Sequence, residues 1–156
     1  MQFEIEPHRG IGPISFGMTR AEVASAMDAA GDGPRVSKGE KTDVYFDSCF
    51  QVEFDTGDRV DFIEVWNDIK LVFTFGGRDV FDRSGNELVA MLSELDSPDP
   101  ELTHVDHEYV FPRLILTLWD LDKQYDRKGD EQRLVFGTVG VGTPRYLAAI
   151  RRIRAR

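Results

Sequence analysis

Two kinds of hydrophobic periodicity alternate along the chain. Between positions 23 and 30, apolar residues recur every three or four positions, which is the spacing of one face of an α-helix. Thr19 and Glu22 precede this segment in a capping-box pattern, in which each side chain can bind the backbone amide of the other residue. We therefore predict a helix that begins after Thr19 and ends near Gly31.

Strand-like segments follow this helix. Residues 50–54 alternate strictly between apolar and polar, which is typical of a half-buried strand. Residues 44–46, 59–66 and 71–75 are rich in β-branched and aromatic side chains, and a turn signal at 55–58 separates two of these strands. The order predicts one helix followed by an antiparallel meander.

The same order recurs in the second half of the chain. Ser84 and Glu87 form a second capping-box pattern, and apolar residues follow them at helical spacing. When the two halves are aligned, Thr19 meets Ser84, and Phe50 meets Leu114 at the start of an alternating segment. This agreement predicts an internal duplication, although any two helix-and-meander units share such spacings.

A third helix is predicted at the C-terminal end. Thr143 can cap it, and Pro144 occupies the first turn, where a missing amide hydrogen costs little. Its apolar stripe consists of Tyr146, Leu147, Ile150 and Ile153.

Together these elements predict a single α+β domain over residues 1–156. One helix-and-meander repeat is expected at about 10–76, a second at about 77–142, and the C-terminal helix at 143–156. The two meanders are expected to form one sheet that helices cover on one face.

Strand alternation divides the side chains of that sheet between two faces. The residues expected to face the helices are Phe50, Val52, Phe54, Leu114, Leu116 and Leu118. The residues expected on the opposite face are Gln51, Glu53, Asp55, Ile115, Thr117 and Trp119. An open face with a tryptophan and carboxylates is a candidate docking surface, because tryptophan is enriched among interface anchors. The alternative is that Trp119 packs under the charged loop at 120–131.

Composition narrows the class of protein. Hydrophobic residues make up 41% of the chain, which is enough for a packed interior. No segment approaches the ~18–20 apolar residues that span a bilayer, and the N-terminal residues lack a signal-peptide pattern. Cys49 is the single cysteine, which excludes an internal disulfide and a multi-cysteine zinc site. These features favour a cytoplasmic protein.

Charge is unevenly distributed. The net charge is −9, but residues 143–156 carry +5, so that residues 1–142 carry −14. An acidic body argues against binding to nucleic-acid phosphates and favours a basic protein partner. The arginines of the last helix also suit its C-terminal dipole, so a structural role remains open for them beside partner docking or nucleic-acid binding.

Residues 14–23 (Ile-Ser-Phe-Gly-Met-Thr-Arg-Ala-Glu-Val) resemble the helix start of two related groups, the β-lactamase inhibitor protein-like modules and the small outer-membrane assembly lipoproteins of similar fold. Residues 10–18 are also similar to the Gly-Ile-Gly-Pro-x-x-Phe-Gly-Met opening of many uncharacterised bacterial cytosolic proteins. The resemblance implies a tandem-repeat module with a concave protein-binding sheet. Relatives of this kind suggest immunity proteins that neutralise secreted toxins. The resemblance to the lipoproteins is weaker, because no lipid-accepting cysteine lies near the N-terminus and Cys49 is internal.

Glycines near the last helix are a candidate anion site. Gly140, Gly142 and Arg145 lie where a strand leads into a helix, and free amides at a helix start attract anions. The alternative is a structural strand-to-helix turn capped by Thr143.

Two segments contain residue types that can bind metal ions, but their sequence contexts favour other roles. His104 and His107, with Asp99 and Asp106 nearby, fall in a loop that leads into a strand. The segment 120–131 places oxygen ligands at calcium-loop spacing, but its sixth position is a tyrosine instead of the glycine that the loop requires. We expect no metal and no cofactor.

No nucleophile with a nearby base is recognisable in the sequence. The carboxylate pairs Asp55/Asp58 and Asp61/Glu64 are expected by chance in so acidic a chain.

The sequence thus favours a non-enzymatic protein-binding module, such as a cytosolic immunity or inhibitor protein that covers a basic surface of a toxin. The predicted contact residues are Glu53, Asp55, Asp58, Trp119, Asp122 and Asp126. The alternatives are a small-ligand or anion-binding module at Gly140–Arg145, and an enzyme whose site assembles only in three dimensions.

Overall fold

A computed structural model describes residues 1–31, 35, 37–123 and 133–155. The helices are α1 (Arg20–Ala29), α2 (Gly85–Ser93) and α3 (Pro144–Arg154). The strands are β1 (Gln2–Glu6), β2 (Gly10–Ile11), β3 (Ile14–Ser15), β4 (Ser37–Lys38), β5 (Thr42–Tyr45), β6 (Phe50–Phe54), β7 (Val60–Trp66), β8 (Val72–Phe75), β9 (Arg78–Asp79), β10 (Glu108–Phe111), β11 (Leu116–Asp122) and β12 (Val135–Gly142). The predicted α+β class is confirmed.

The three helices begin where the sequence predicts. Both capping boxes are formed: Thr19 and Glu22 cap α1, and Ser84 and Glu87 cap α2. The side chain of Thr143 accepts a hydrogen bond from the amide of Tyr146 and so caps α3. These starts are predictable because each cap involves residues only three positions apart.

The large sheet has seven antiparallel strands in the order β10-β11-β12-β7-β6-β5-β4. The meander β5-β6-β7 joins the meander β10-β11-β12 where β7 pairs with β12. Phe50 pairs with Val65 in the first meander as Leu116 pairs with Val141 in the second. Phe50 and Leu116 are also each the first residue after a hairpin turn, in the pairs Tyr45–Phe50 and Phe111–Leu116, so Phe50 corresponds in position to Leu116, whereas the sequence alignment matched it with Leu114. The duplication itself stays a prediction.

A second sheet corrects the expectation of a single one. Its order is β3-β2-β1-β8-β9, and β1 pairs in parallel with β8. The predicted strand at 71–75 therefore belongs to this smaller sheet. Pairing between the first residues and β8 leaves no local signal in the sequence, because neither segment specifies its partner.

The main core lies between the two sheets and the first two helices. Val23 and Met27 of α1 and Leu88 and Leu92 of α2 are buried in it. A cluster of aromatic rings links the sheets, since Phe3 of the small sheet and Phe50 of the large one meet with ring centroids 6.0 Å apart. The near face of the large sheet is the one that takes part in this core.

Helix α3 corrects a second expectation, that helices cover one face only. It packs on the opposite face of the large sheet, which we call the far face. There Leu147 joins a separate buried cluster with Leu102, Val110 and Ile115. An amphipathic helix must bury its apolar stripe, and this face offers apolar positions to receive it. None of the helices described is long and apolar enough to cross a bilayer.

Candidate functional site

Strand pairing aligns the far-face residues into rows across the large sheet. In one row Trp119, Thr138 and Trp66 lie side by side on β11, β12 and β7. Thr138 is buried between the two tryptophans in this row, and its hydroxyl has no hydrogen-bond partner in the described part of the chain. The row brings both tryptophans to the same face.

The adjacent row carries a carboxylate. Thr117 on β11 pairs with Gly140 on β12, and Gly140 pairs with Glu64 on β7. Gln51 on β6 completes the row on the other side of Glu64. Gly140 contributes no side chain to this row, and the ring of Phe62 and the hydroxyl of Thr117 lie close over its Cα atom instead.

Helix α3 lies over the next part of the far face. The ring of Tyr146 stacks on Phe62, and the ring centroids are 4.0 Å apart. A Cβ atom at Gly142 would come 2.6 Å from the Tyr146 ring, and one at Gly140 would come 2.4 Å from the Phe62 ring. The two glycines of the predicted anion site thus lie within β12 and allow rings to approach the backbone closely.

Three ion pairs also tie α3 to the sheet side of the molecule. Arg145 lies 3.2 Å from the carboxylate of Asp55, and Arg151 lies 3.2 Å from that of Asp99. Arg154 lies 2.6 Å from the carboxylate of Glu108. Each pair is partly exposed, and such a pair typically contributes at most about 1 kcal/mol. One pair lies in the first turn of the helix and two in the last, so both ends of α3 contact the rest of the molecule.

A groove of about 330 Å³ remains between α3 and the large sheet. Residues of the sheet form one side and residues of α3 form the other. The lining residues are Glu64, Leu102, Glu108, Val110, Thr117, Trp119, Tyr146, Ile150, Ile153 and Arg154. The groove therefore combines apolar walls with a small number of charged groups, which is the usual composition of a binding site.

Glu64 is the most perturbed carboxylate of the groove. Burial raises its pKa to about 7, and the negative charge of Glu53 on the neighbouring strand adds to the effect. Burial also raises the pKa of Glu53, helped by the charge of Asp61. Within the described ranges, no side chain or backbone amide makes a hydrogen bond or ion pair with the Glu64 carboxylate. Glu64 is therefore a half-buried carboxylate without a counterion among the described residues.

The rim of the groove is formed by a tryptophan and a small charged network. Trp119 is 44% exposed, which is high for so large an apolar side chain. The ring of His107 meets it edge-on, with centroids 6.1 Å apart. Arg154 donates to the Nε2 atom of His104 at 2.6 Å, in addition to its contact with Glu108. The positive charge of Arg154 is thereby committed within the protein.

The described members of the predicted contact set lie on different elements of the fold. Trp119 lies at the groove, and Glu53 lies on the same face, beside the row of Glu64. Asp55 accepts hydrogen bonds from the amides of Gly57 and Arg59 in the β6–β7 turn. Burial works against ionisation of Asp55, but these amides and the Arg145 guanidinium outweigh it and lower its pKa.

The remaining predicted contacts lie elsewhere. Asp58 is exposed in the same turn as Asp55, 3.7 Å from the ammonium of Lys41. Asp122 is half-buried at the end of β11. Asp126 lies outside the described residues. At the predicted anion site, Arg145 contacts both Asp55 and the hydroxyl of Thr56.

Sequence reasoning missed the residues that make the groove. Glu64 was visible only as a member of a carboxylate pair, and Glu108 and Tyr146 carried no signal of a site. One usable signal existed: Glu64 interrupts the apolar segment of β7 at a position that alternation assigns to the far face. Its burial could not be inferred without knowing where α3 packs.

The structure offers no evident metal centre in the residues that it describes, where no group of three or more His, Cys, Asp or Glu side chains is arranged to hold an ion. His104, one of the two histidines in the loop before β10, contacts Arg154. Most of the segment 120–131, which has the ligand spacing of a calcium loop, lies outside the described ranges.

Comparison with known proteins adds no relative to this description. No family model, no curated protein and no solved structure matches the chain. The function must therefore be argued from the groove and the residues around it.

Proposed function

We propose that the protein is a non-enzymatic binding module for a basic protein partner, which it covers stoichiometrically with the far face of its large sheet. The observation that carries this proposal is the groove whose lining contains both exposed Trp119 and the carboxylate of Glu64, which has no counterion among the described residues. Tryptophan anchors and desolvated pockets are typical of the central region of protein interfaces.

Rigidity and charge support the proposal. The groove is built on strands of the seven-stranded sheet and on α3, whose ring stack and ion pairs hold it in place. A preformed surface loses little conformational entropy on binding. The net charge of −9 attracts a basic partner at long range and speeds their encounter.

The biological setting belongs to the same proposal. Resemblance at residues 14–23 to inhibitor-like modules supports an immunity or inhibitor protein of the bacterial cytoplasm, with a secreted toxin as its partner. Occlusion requires no catalytic group, only a surface that fits the partner.

Affinity capture with matched variants tests the proposal. We expect the unmodified protein to retain a basic protein from its host, and the Trp119→Ala variant to lose it. Ile69→Ala is the control, since Ile69 is 97% exposed and lies outside the groove. The captured protein and this chain should then form a complex of fixed stoichiometry when both are purified. A Trp119→Ala variant that retains every partner would contradict the proposal.

An enzyme is the second candidate, and one observation favours it. With its pKa raised by burial to about 7, Glu64 can donate a proton near neutral pH, and Glu108 lines the same groove. Against this, Glu108 is held by Arg154 at 2.6 Å. Hydrolysis of a panel of aryl glycosides and esters tests this candidate, which requires turnover that Glu64→Gln abolishes while Ile69→Ala preserves it.

A further inference from the structure

We propose that the groove takes the side chain of a lysine from the protein partner, with its ammonium group as the counterion of Glu64. The inference deepens the proposed function and rests on it, because it names the chemical group by which the partner is recognised. It assigns Glu64 a direct contact with the partner, whereas the sequence pointed to other carboxylates.

The shape of the groove suits a lysine side chain. Its apolar walls include Leu102, Val110 and Ile150, which can cover a four-carbon stem. Trp119 and Tyr146 add aromatic rings, which attract a cation placed over their faces. Glu64 lies on the sheet side of the groove, where it can meet a charge at the end of such a stem.

The charge balance of the groove selects a cation. Arg154 is committed to Glu108 and His104, so that this network brings no free positive charge to the groove. Glu64 is then the charged lining residue without a partner among the residues described. An anionic ligand would meet an unneutralised carboxylate, whereas an ammonium would neutralise it in a partly dry site. An ammonium is a compact charge at the end of an unbranched stem, whereas a guanidinium is a broader planar group. Either can pair with a carboxylate, and we commit to lysine because its charged group is the smaller of the two.

Ionisation of Glu64 makes the contact sensitive to pH. The titratable and charged groups that surround Glu64 are Glu53 on β6, Asp61 on β7, Glu108 on β10, and Tyr146 and Arg154 on α3. Because burial and Glu53 raise the pKa of Glu64 to about 7, the carboxylate becomes fully charged only above neutral pH. Ammonium affinity should therefore rise by about tenfold between pH 6 and pH 8.

The probe is the peptide acetyl-Gly-Lys-Gly-amide. The control is the same peptide with an Nε-acetylated lysine, which carries no charge. Binding is followed by the indole N–H signals of Trp119 and Trp66 in ¹H–¹⁵N NMR spectra, assigned with single Trp→Phe variants. At pH 8, millimolar concentrations of the lysine peptide should shift the Trp119 signal. The Trp66 signal should shift less, because Trp66 is not a lining residue. At pH 6 the affinity for the lysine peptide should be about tenfold lower than at pH 8. The acetylated peptide should cause no shift.

Glu64→Gln is the decisive variant. It should abolish the lysine-dependent shift while its NMR spectrum stays that of the folded protein. Glu94→Gln is the matched control, because Glu94 is exposed at the end of α2 and should leave binding unchanged. The inference is overturned if Glu64→Gln binds the peptide as well as the unmodified protein, if acetylation has no effect, or if the Trp119 signal never moves. Two further probes test the choice of lysine: the same peptide with arginine in place of lysine, and the free diamine cadaverine. If either binds more tightly than the lysine peptide, the choice of a partner's lysine is overturned.

Failure of this inference is distinguishable from failure of the proposed function. If Trp119→Ala loses a captured partner but the peptide does not bind, protein binding stands and the lysine contact is wrong. If the peptide binds through Glu64 but Trp119→Ala loses no protein, the groove is a small-amine site and the proposed function is wrong.

Discussion

The ring of Tyr146 lies almost parallel to that of Phe62, with an interplanar angle of 9° and a centroid distance of 4.0 Å. This stack joins the first turn of α3 to the middle of β7. It places the helix over the far face of the large sheet, and the groove lies beside it. The stack therefore helps to hold α3 over the part of the large sheet that carries Glu64.

Removal of the stacked ring should destabilise the protein. We expect Tyr146→Ala to lower the free energy of unfolding by about 2–4 kcal/mol, because it removes a large packed side chain and the ring contact. Tyr146→Phe keeps the ring and should cost under about 1 kcal/mol. Urea unfolding of the three proteins measures both changes. Equal stability of the alanine and phenylalanine variants would show that the stack does not hold α3.

Gly140 should tolerate no side chain while Phe62 is present. A Cβ atom there would lie 2.4 Å from the Phe62 ring and 2.7 Å from the hydroxyl of Thr117. We expect Gly140→Ala to destabilise the protein by about 1–3 kcal/mol through this overlap. In the background of Phe62→Leu the same substitution should cost less, since part of the obstacle is gone. Thermal unfolding of the double-mutant cycle measures the difference, and additive costs would refute the steric explanation.

Glu64 should make the protein less stable as the pH rises. Folding raises its pKa from 4.5 to about 7, so the folded state holds the proton more tightly than the unfolded state. The contribution of Glu64 to stability is therefore complete below pH 4.5 and is lost progressively as the pH rises through 7. By pH 8 the loss should amount to about 3 kcal/mol.

Comparison of two glutamine variants checks this pH dependence. Glu64→Gln removes the titrating group, so its stability should gain on that of the unmodified protein between pH 5 and pH 8. Glu94→Gln, at the exposed end of α2, should follow the unmodified protein at every pH. Denaturant unfolding across this pH range measures both. Parallel curves for Glu64→Gln and the unmodified protein would mean that Glu64 is not desolvated.

Phosphate should not stabilise the protein if Arg145 serves within the fold. Its guanidinium lies 3.2 Å from the carboxylate of Asp55, and the two glycines before it pack beneath aromatic rings. We expect millimolar phosphate or nucleotide to change the melting temperature by less than about 1 °C. A rise of several degrees that Arg145→Ala abolishes would instead support the anion-binding alternative.

Local structure was largely predictable from the sequence. The starts of α1, α2 and α3 follow from caps within one helical turn, and the strand at 50–54 follows from its alternation. The arrangement of these elements in space was harder to predict from the sequence. The sequence suggested one sheet with an open face, whereas β1 and β8 build a second sheet and α3 occupies part of the face expected to be open.

The candidate site shows the same division at the level of single residues. The sequence by itself determined that Trp119 and the carboxylates of β6 and β7 lie in strands, and that a basic amphipathic helix ends the chain. Only the tertiary structure decided that Glu64 lies in a groove beside Tyr146 and Arg154. Caps and alternation depend on hydrogen bonds and spacings within a few residues. The burial of Glu64 depends on groups from β6, β10 and α3, which only the folded chain brings together.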